Sequence, residues 1–227
     1  MTEVWLDLSH PYEEGIPVPD WPGEELQPFE LIRYRVKVNT GLQNNLRMNL
    51  HCGTHVDAPS HYAEGRADID GVDFRRLMGE CAVVDVEKGP LGQVTAQDLR
   101  RQEALVRSAP MVFLSTGWER MWRRPEYGSQ YPFLTEDAGE FLLEAGVRVV
   151  GVDTPGPDAP IRSPHRKGDP LHWMLLGRDV LIVENLRNLR PLVGKRVWVF
   201  AVPINIRGAT GAPARVLAKL VEDRGTE

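Results

Sequence analysis

Cys81-Ala82-Val83-Val84-Asp85-Val86 is a short apolar run of β-favouring residues, and Thr95 with Asp98 three positions later opens a helix soon after it. The run lacks the polar alternation of a half-wet strand and reads as a buried one. Working outward toward the C-terminus, strand and helix keep alternating. The helix from Thr95 is expected to reach about Arg107, and 111–114 is a further apolar strand. Thr135, with Glu136 and Asp137 behind it, caps a helix that ends at Gly146, where a left-handed residue is expected. A third strand over 147–152, a short helix over 170–176 stopped by Gly177, strands over 180–183 and 197–202, and a final helix over 213–221 complete the half. Strands alternating with helices predict an α/β domain.

Toward the N-terminus the pattern changes. Ile32, Tyr34, Val36 and Val38 alternate with Arg33, Arg35 and Lys37, which predicts a strand with one buried and one wet face. Leu46, Met48 and Leu50 repeat the alternation, and that strand is expected to run straight into His51. Before them lies a Pro/Gly-rich loop over 11–28, longer than an ordinary connection. The first third is therefore β-rich. Without an internal repeat or a low-complexity tract, residues 1–227 are expected to form one domain.

Composition narrows the function. The 227 residues are 42% hydrophobic, enough for one sizeable core. Lys and Arg total 27 against 32 Asp plus Glu, a formal charge of −5 that repels nucleic acid. The densest basic cluster, 120–124, reads as a solvated face. No apolar stretch reaches the roughly 18 residues of a membrane span, and Met1-Thr2-Glu3-Val4-Trp5 lacks a basic region leading into an apolar run. A cytoplasmic protein with no membrane partner is expected. Cys52 and Cys81 are too few for a disulfide framework, and both are expected reduced and buried.

The chemistry concentrates in His51-Cys52-Gly53-Thr54-His55-Val56-Asp57-Ala58-Pro59-Ser60-His61, three imidazoles and a carboxylate in eleven residues. A lone histidine in such a place is ordinarily a satisfied core residue; this density points instead to a metal. Imidazole and carboxylate are the usual ligands of zinc, manganese or iron in open hydrolytic sites. Gly53 lets the backbone bend so that His51 and His55 converge without a helix. The metal reading rests on His51, His55 and Asp57; spacing leaves His61 open as a fourth ligand, a neighbour of the ligands or a proton shuttle. Cys52 reads as a packed thiol, and Asp153 either orients a ligand histidine or simply begins a turn. Glu184, at the end of Val180-Leu181-Ile182-Val183, would be a costly buried carboxylate unless protonated or bound to a cation. His10 and His165 lie in loops with no visible partner.

His51 to His61 fits HxGTHxDxPxH at every fixed position, and in this the chain resembles the cyclase-like metal hydrolases, which include bacterial kynurenine formamidases and isatin hydrolases. Trp21-Pro22-Gly23 is similar to that family's N-terminal aromatic loop, Gly151-Val152-Asp153-Thr154-Pro155 to its central strand-turn, and His172 with Glu184 to its distal His and Glu. The resemblance implies that His51, His55, Asp57 and Glu184 hold one metal and that Asp57, His172 and Glu184 hold a second. It also implies that Asp57 and Glu184 bridge, that His61 is the general acid/base and that Trp21 lines the substrate pocket. Around His172-Trp173-Met174-Leu175-Leu176 and Glu184-Asn185-Leu186 the chain departs from the formamidase branch toward the broader family. The implied fold is a swivelling β/β/α-like domain with a mixed sheet, and the implied assembly a homodimer or homotetramer.

The expected cofactor is zinc or manganese, one or two ions per subunit, and the partner a small-molecule substrate. A cation that brings bound water from a pKa of ~15.7 toward ~7 makes hydroxide for attack on an amide or ester carbonyl. A histidine near ~6.5 can take the proton and pass it to the leaving nitrogen, a task for which His61 is placed. Arylformamides such as N-formylkynurenine are the first candidate and cyclic amides such as isatin the second, flat aromatics able to stack on Trp21; a lactone or ester is the alternative. His55, Asp57 and His172 would also satisfy the facial triad of non-haem iron oxygenases, but His51 and His61 then have no purpose and the helices do not suit a double β-sheet barrel. Structural zinc would favour a cysteine-rich site with CxxC pairs, and a serine hydrolase would need a GxSxG elbow; the sequence has neither.

Overall fold

The computed structural model describes residues 4–18, 23–38 and 41–220. In chain order its strands are β1 (Trp5–Asp7), β2 (Glu30–Arg35), β3 (Leu42–Arg47), β4 (His55–Asp57), β5 (Met78–Asp85), β6 (Gln93–Val94), β7 (Met111–Ser115), β8 (Phe133–Leu134), β9 (Val149–Val152), β10 (Leu181–Glu184), β11 (Arg196–Phe200), β12 (Gly211–Pro213) and β13 (Leu217–Leu220). The α-helices are α1 (Ala96–Arg100), α2 (Glu103–Val106), α3 (Glu136–Glu144) and α4 (Pro170–Gly177).

Nine strands form one mixed sheet in the order β1-β13-β11-β5-β7-β9-β10-β4-β12. Its centre, β5-β7-β9-β10, is parallel, so each step needs a crossover, and the helices supply them. β7, β9 and β10 are buried at every residue, as the unbroken apolar runs predict for strands covered on both faces. Successive residues serve opposite cores: Val84, Leu114 and Ile182 pack with Leu99, Phe141, Leu142 and Leu175 of the helices. Val83, Phe113 and Val183 face a second core shared with Val56, Val197, Val199 and Val216, drawn from both wings of the curled sheet. The α/β domain with a mixed sheet is thus the fold observed. No helix of the described residues is long and apolar enough to cross a membrane.

Four local expectations need correction. The helix from Thr95 has its capping box with Asp98, but it breaks at Gln102, whose side chain leaves the helical path to pair with the backbone of Asp85. Residues 213–220 are not helix: they run from the last residue of β12, Pro213, through a short link into β13 at Leu217–Leu220. Val216 and Ala218 are wholly buried while Arg215 is exposed, and β13 closes the gap between β1 and β11. Here ladder pairing overrides the helix propensity of Leu, Ala and Lys. Finally, β2 and β3 pair only with each other among the described strands, and neither face is buried: Leu31 is 43% exposed on one face and Ile32 39% on the other. β3 also stops at Arg47, short of His51, because the Asn49 side chain accepts the His51 N–H at 2.7 Å and turns the chain.

Candidate metal centre

The HxGTHxDxPxH stretch is a tight turn, then β4, then a 3-10 turn at Pro59–His61. Gly53 has φ +62°, and a Cβ there would lie 2.8 Å from the Tyr12 ring, so both conformation and space demand glycine. The carbonyl of Gly53 accepts from Nδ1 of His55 at 2.9 Å, which leaves Nε2 of that ring facing inward. In β4 the period of two puts His55 and Asp57 on one face and sends Val56 to the core on the other. The antiparallel register with β10 sets Glu184 directly opposite His55.

The donors converge. His51 Nδ1 lies 2.7 Å from Asp57 Oδ1, and its Nε2 is 3.0 Å from Thr210 Oγ1. His55 Nε2 stands 3.2 Å from Asp57 Oδ1 and 3.4 Å from Glu184 Oε2. From the first turn of α4, His172 Nε2 reaches Glu184 Oε1 at 3.1 Å and Asp57 Oδ2 at 3.6 Å. His61 stacks on His51 with ring centroids 3.9 Å apart. The structure therefore brings together His51, His55, Asp57, His61, His172 and Glu184; Trp21 lies outside the described residues.

Two buried carboxylates with oxygens within 4.8 Å of each other, Asp57 and Glu184, need positive charge nearby. Burial pushes Glu184 up, the Asp57 charge adds to it, and the imidazoles of His172 and His55 oppose. Burial acts the same way on Asp57, but the charges of His55 and His51 outweigh it and hold the carboxyl well below its usual range. For His55 burial works against the cation, yet Asp57 and Glu184 raise it to about 9. Burial pushes His61 down to about 3; Asp57 opposes this, and the other three imidazoles reinforce it, so His61 is neutral at pH 7.

Around the cluster is a cavity of about 250 Å³, with Tyr62, Tyr131, Ile161, Asn49 and Arg166 in its wall. Cys52 is turned away and buried, its thiol 3.0 Å from the Asn49 carbonyl, so no sulfur joins the donors. Asp153 does not orient a histidine: it accepts from the Thr116 hydroxyl at 2.5 Å and from the backbone N–H groups of Thr116 and Gly117. Asp158, which sequence reasoning missed, is the carboxylate beside His172, at 2.5 Å from Nδ1. It lies in a Pro-rich loop 14 residues before its partner, and neither periodicity nor motif marks it. His10 is not an idle loop residue either: it is buried and stacks on Trp122 at 3.7 Å.

The chain is similar to several known proteins. The kynurenine formamidase of Erythrobacter litoralis is 31% identical, the alignment covering 98% of this chain and 96% of that one. Among solved structures, isatin hydrolase A from Labrenzia aggregata superposes with a TM-score of 0.86 at 26% identity, covering 97% of this chain and 94% of the other. A protein of Bacillus stearothermophilus described as a "predicted metal-dependent hydrolase" gives 0.74 at 26% identity over 96% and 99%. The Cyclase family model matches residues 6–159, from β1 through the HxGTHxDxPxH stretch to the loop after β9, and the chain belongs to that family.

Proposed function

We propose that the chain is a metal-dependent hydrolase of amide carbon–nitrogen bonds other than peptide bonds. The observation that carries this reading is a pair of buried polar atoms, His55 Nε2 and Asp57 Oδ2, that find no well-formed hydrogen bond among the described residues and share one small space with Glu184 and His172. Imidazole and carboxylate atoms that converge on one space and satisfy one another only by sharing protons fit a cation, which would take the place of those protons. His51, His55, Asp57, His172 and Glu184 would hold it, as one ion or two; nitrogen and oxygen donors without a thiolate suit zinc and manganese alike. A divalent cation there supplies Lewis acidity, polarising a carbonyl and acidifying water.

The remaining steps fall to the protein. His61, stacked at the edge of the cluster, would accept a proton at a ring nitrogen from the attacking water and return it to the departing nitrogen, a task for which its pKa, held at about 3 in the metal-free chain, has to rise toward the reaction pH. The wall formed by Tyr62, Tyr131 and Ile161 offers a flat aromatic substrate an apolar seat and keeps bulk water away. Relatives named kynurenine formamidase and isatin hydrolase support an arylformamide such as N-formylkynurenine as the first substrate to try and isatin as the second. The oxygenase reading loses ground, since a nine-stranded sheet flanked by helices is not a double β-sheet barrel.

The test pairs metal analysis of the purified protein with rates on N-formylkynurenine and isatin before and after chelation. Bound zinc or manganese, and a rate that vanishes on chelation and returns with the metal, are expected. Hydrolysis undiminished in metal-free protein, or hydrolysis of neither amide, overturns the reading.

A further inference from the structure

Asp158 is 2% exposed and lies in the loop between β9 and α4. A carboxylate so deeply buried is tolerated only if its lone pairs are used. Oδ1 accepts the backbone N–H of Leu171 at 2.8 Å; Oδ2 accepts the backbone N–H of His172 at 3.1 Å and faces the Nδ1 of the same residue at 2.5 Å. Both N–H groups belong to the first turn of α4, whose own N-cap residue, Asp169, makes no side-chain capping bond and is ion-paired with Arg166. Asp158 thus caps the helix from a distant part of the chain. The same oxygen binds the backbone and the ring of one residue, so the side-chain torsions of His172 are fixed as well. Tyr62 stacks on that ring from another side, with centroids 4.7 Å apart.

We infer that Asp158 is a positioning residue for the cation site: it keeps the ring proton of His172 on Nδ1 and aims the Nε2 lone pair between Asp57 and Glu184. The inference rests on the metal reading above. A carboxylate can only accept, so Nδ1 donates to Asp158; in the metal-free chain Nε2 likewise faces Glu184 with a proton, and when a cation takes that proton's place the hydrogen left on the ring is the one on Nδ1 and Nε2 offers its lone pair.

Asparagine at 158 cannot reproduce all three contacts. If its oxygen takes the place of Oδ2, its NH2 confronts the Leu171 N–H. If its oxygen takes the place of Oδ1, its NH2 faces Nδ1 and draws the ring into the other tautomer, with a hydrogen where the cation needs a lone pair.

The experiment is calorimetric titration of zinc into chelated, refilled-buffer samples of the full chain as parent, Asp158→Asn, His172→Ala and the double variant. Asp158→Asn is expected to weaken zinc binding about 10- to 100-fold in the parent background. In the His172→Ala background the same change is expected to shift affinity less than about twofold, because its route of action has been removed. A merely structural carboxylate would lower the melting temperature in both backgrounds and leave the zinc affinity of folded protein alone. Unchanged affinity in Asp158→Asn, or an equal loss in both backgrounds, overturns the inference while leaving the metal reading intact; a parent chain that binds neither zinc nor manganese removes both. Should Asp158→Asn fail to fold, the ring nitrogen shifts of His172 in the zinc-loaded parent decide, with a protonated Nδ1 expected and a protonated Nε2 overturning it.

Discussion

A Cβ on Gly211 would lie 2.5 Å from Cε1 of His51 and 2.9 Å from the carbonyl oxygen of Val56. The neighbour on one side is backbone of β4, which cannot yield without breaking its register with β12. Gly211→Ala should therefore push His51 off Asp57, costing about 1–3 kcal/mol of stability and lowering metal content per chain; full occupancy by elemental analysis would show that the ring has room after all. His61 makes a different demand, because it sits beside the donors and is proposed to move protons. His61→Ala should keep its metal and lose turnover by a factor on the order of 10² or more, and an unchanged kcat removes it from the mechanism. His10 governs stability instead. Burial, with Arg187 assisting and Asp7 opposing, lowers its pKa to about 4. An unfolded chain takes up a proton at this histidine near pH ~6.5, whereas the folded one waits until about 4. The stabilisation is thus complete above ~6.5 and drains away as pH falls toward 4, by up to about 3 kcal/mol. Urea midpoints at pH 7 and pH 5 measure it, and a His10→Gln variant with the same slope as the parent would assign the effect elsewhere.

Between elements, the close approach of α3 to α4 couples packing to the site. A Cβ on Gly139 would meet Leu171 Cδ1 at 2.6 Å and Met174 Sδ at 2.9 Å, both on the helix that carries His172. Gly139→Val should displace α4, destabilising the fold by about 1–3 kcal/mol and weakening metal binding although position 139 touches no donor; a variant that loses stability with zinc affinity untouched would mean that α4 slides without rotating. Which elements the sequence reveals follows from what holds each of them. β7, β9 and β10 are fully buried, so their apolar runs announce them, and α3 lies between Thr135, which holds the N-cap position although its hydroxyl turns to Val94 and makes no capping bond, and Gly146 at φ +80° just past the end. The stretch 213–220 misleads because Leu, Ala and Lys favour helix, while the alternation of buried Val216 and Ala218 with wetter neighbours obeys the sheet. The donors of the site were legible for a related reason: His51, His55 and Asp57 are close in sequence, and Glu184 betrays itself as a charge in an apolar strand. Asp158, Thr210 and Gly211 had no such signal, since each acts on its histidine across a tertiary contact.

At the scale of the whole molecule the proposed cation would tie distant parts of the chain together. His51, His55 and Asp57 come from the β4 region, whereas Glu184 comes from β10 and His172 from α4, so the unfolded chain offers no preformed site. The cluster also lies in the body of the molecule, with β4 and β10 joined edge to edge and core packed on both faces of the sheet. A ligand that binds only the folded state stabilises it by mass action, by about 2.7 kcal/mol when free metal stands at 100 times its Kd. For a chain of this size each kcal/mol moves the melting temperature by roughly 2–4 °C, so stripping the metal should lower it by about 5–10 °C. Because the core that holds Val56 of β4 and Val183 of β10 also holds Val83 of β5 and Val197 of β11, the metal-free protein should still melt in one cooperative step, followed by calorimetry alongside near-ultraviolet dichroism. Restoring zinc or manganese should restore the higher value in proportion to the logarithm of its concentration, and magnesium, which binds such nitrogen-containing sites poorly, should not. A melting temperature indifferent to chelation would place the five donors outside the energetics of the fold. A second transition appearing only in the stripped protein would show that the sheet divides at β10 and β4 once the cation is gone.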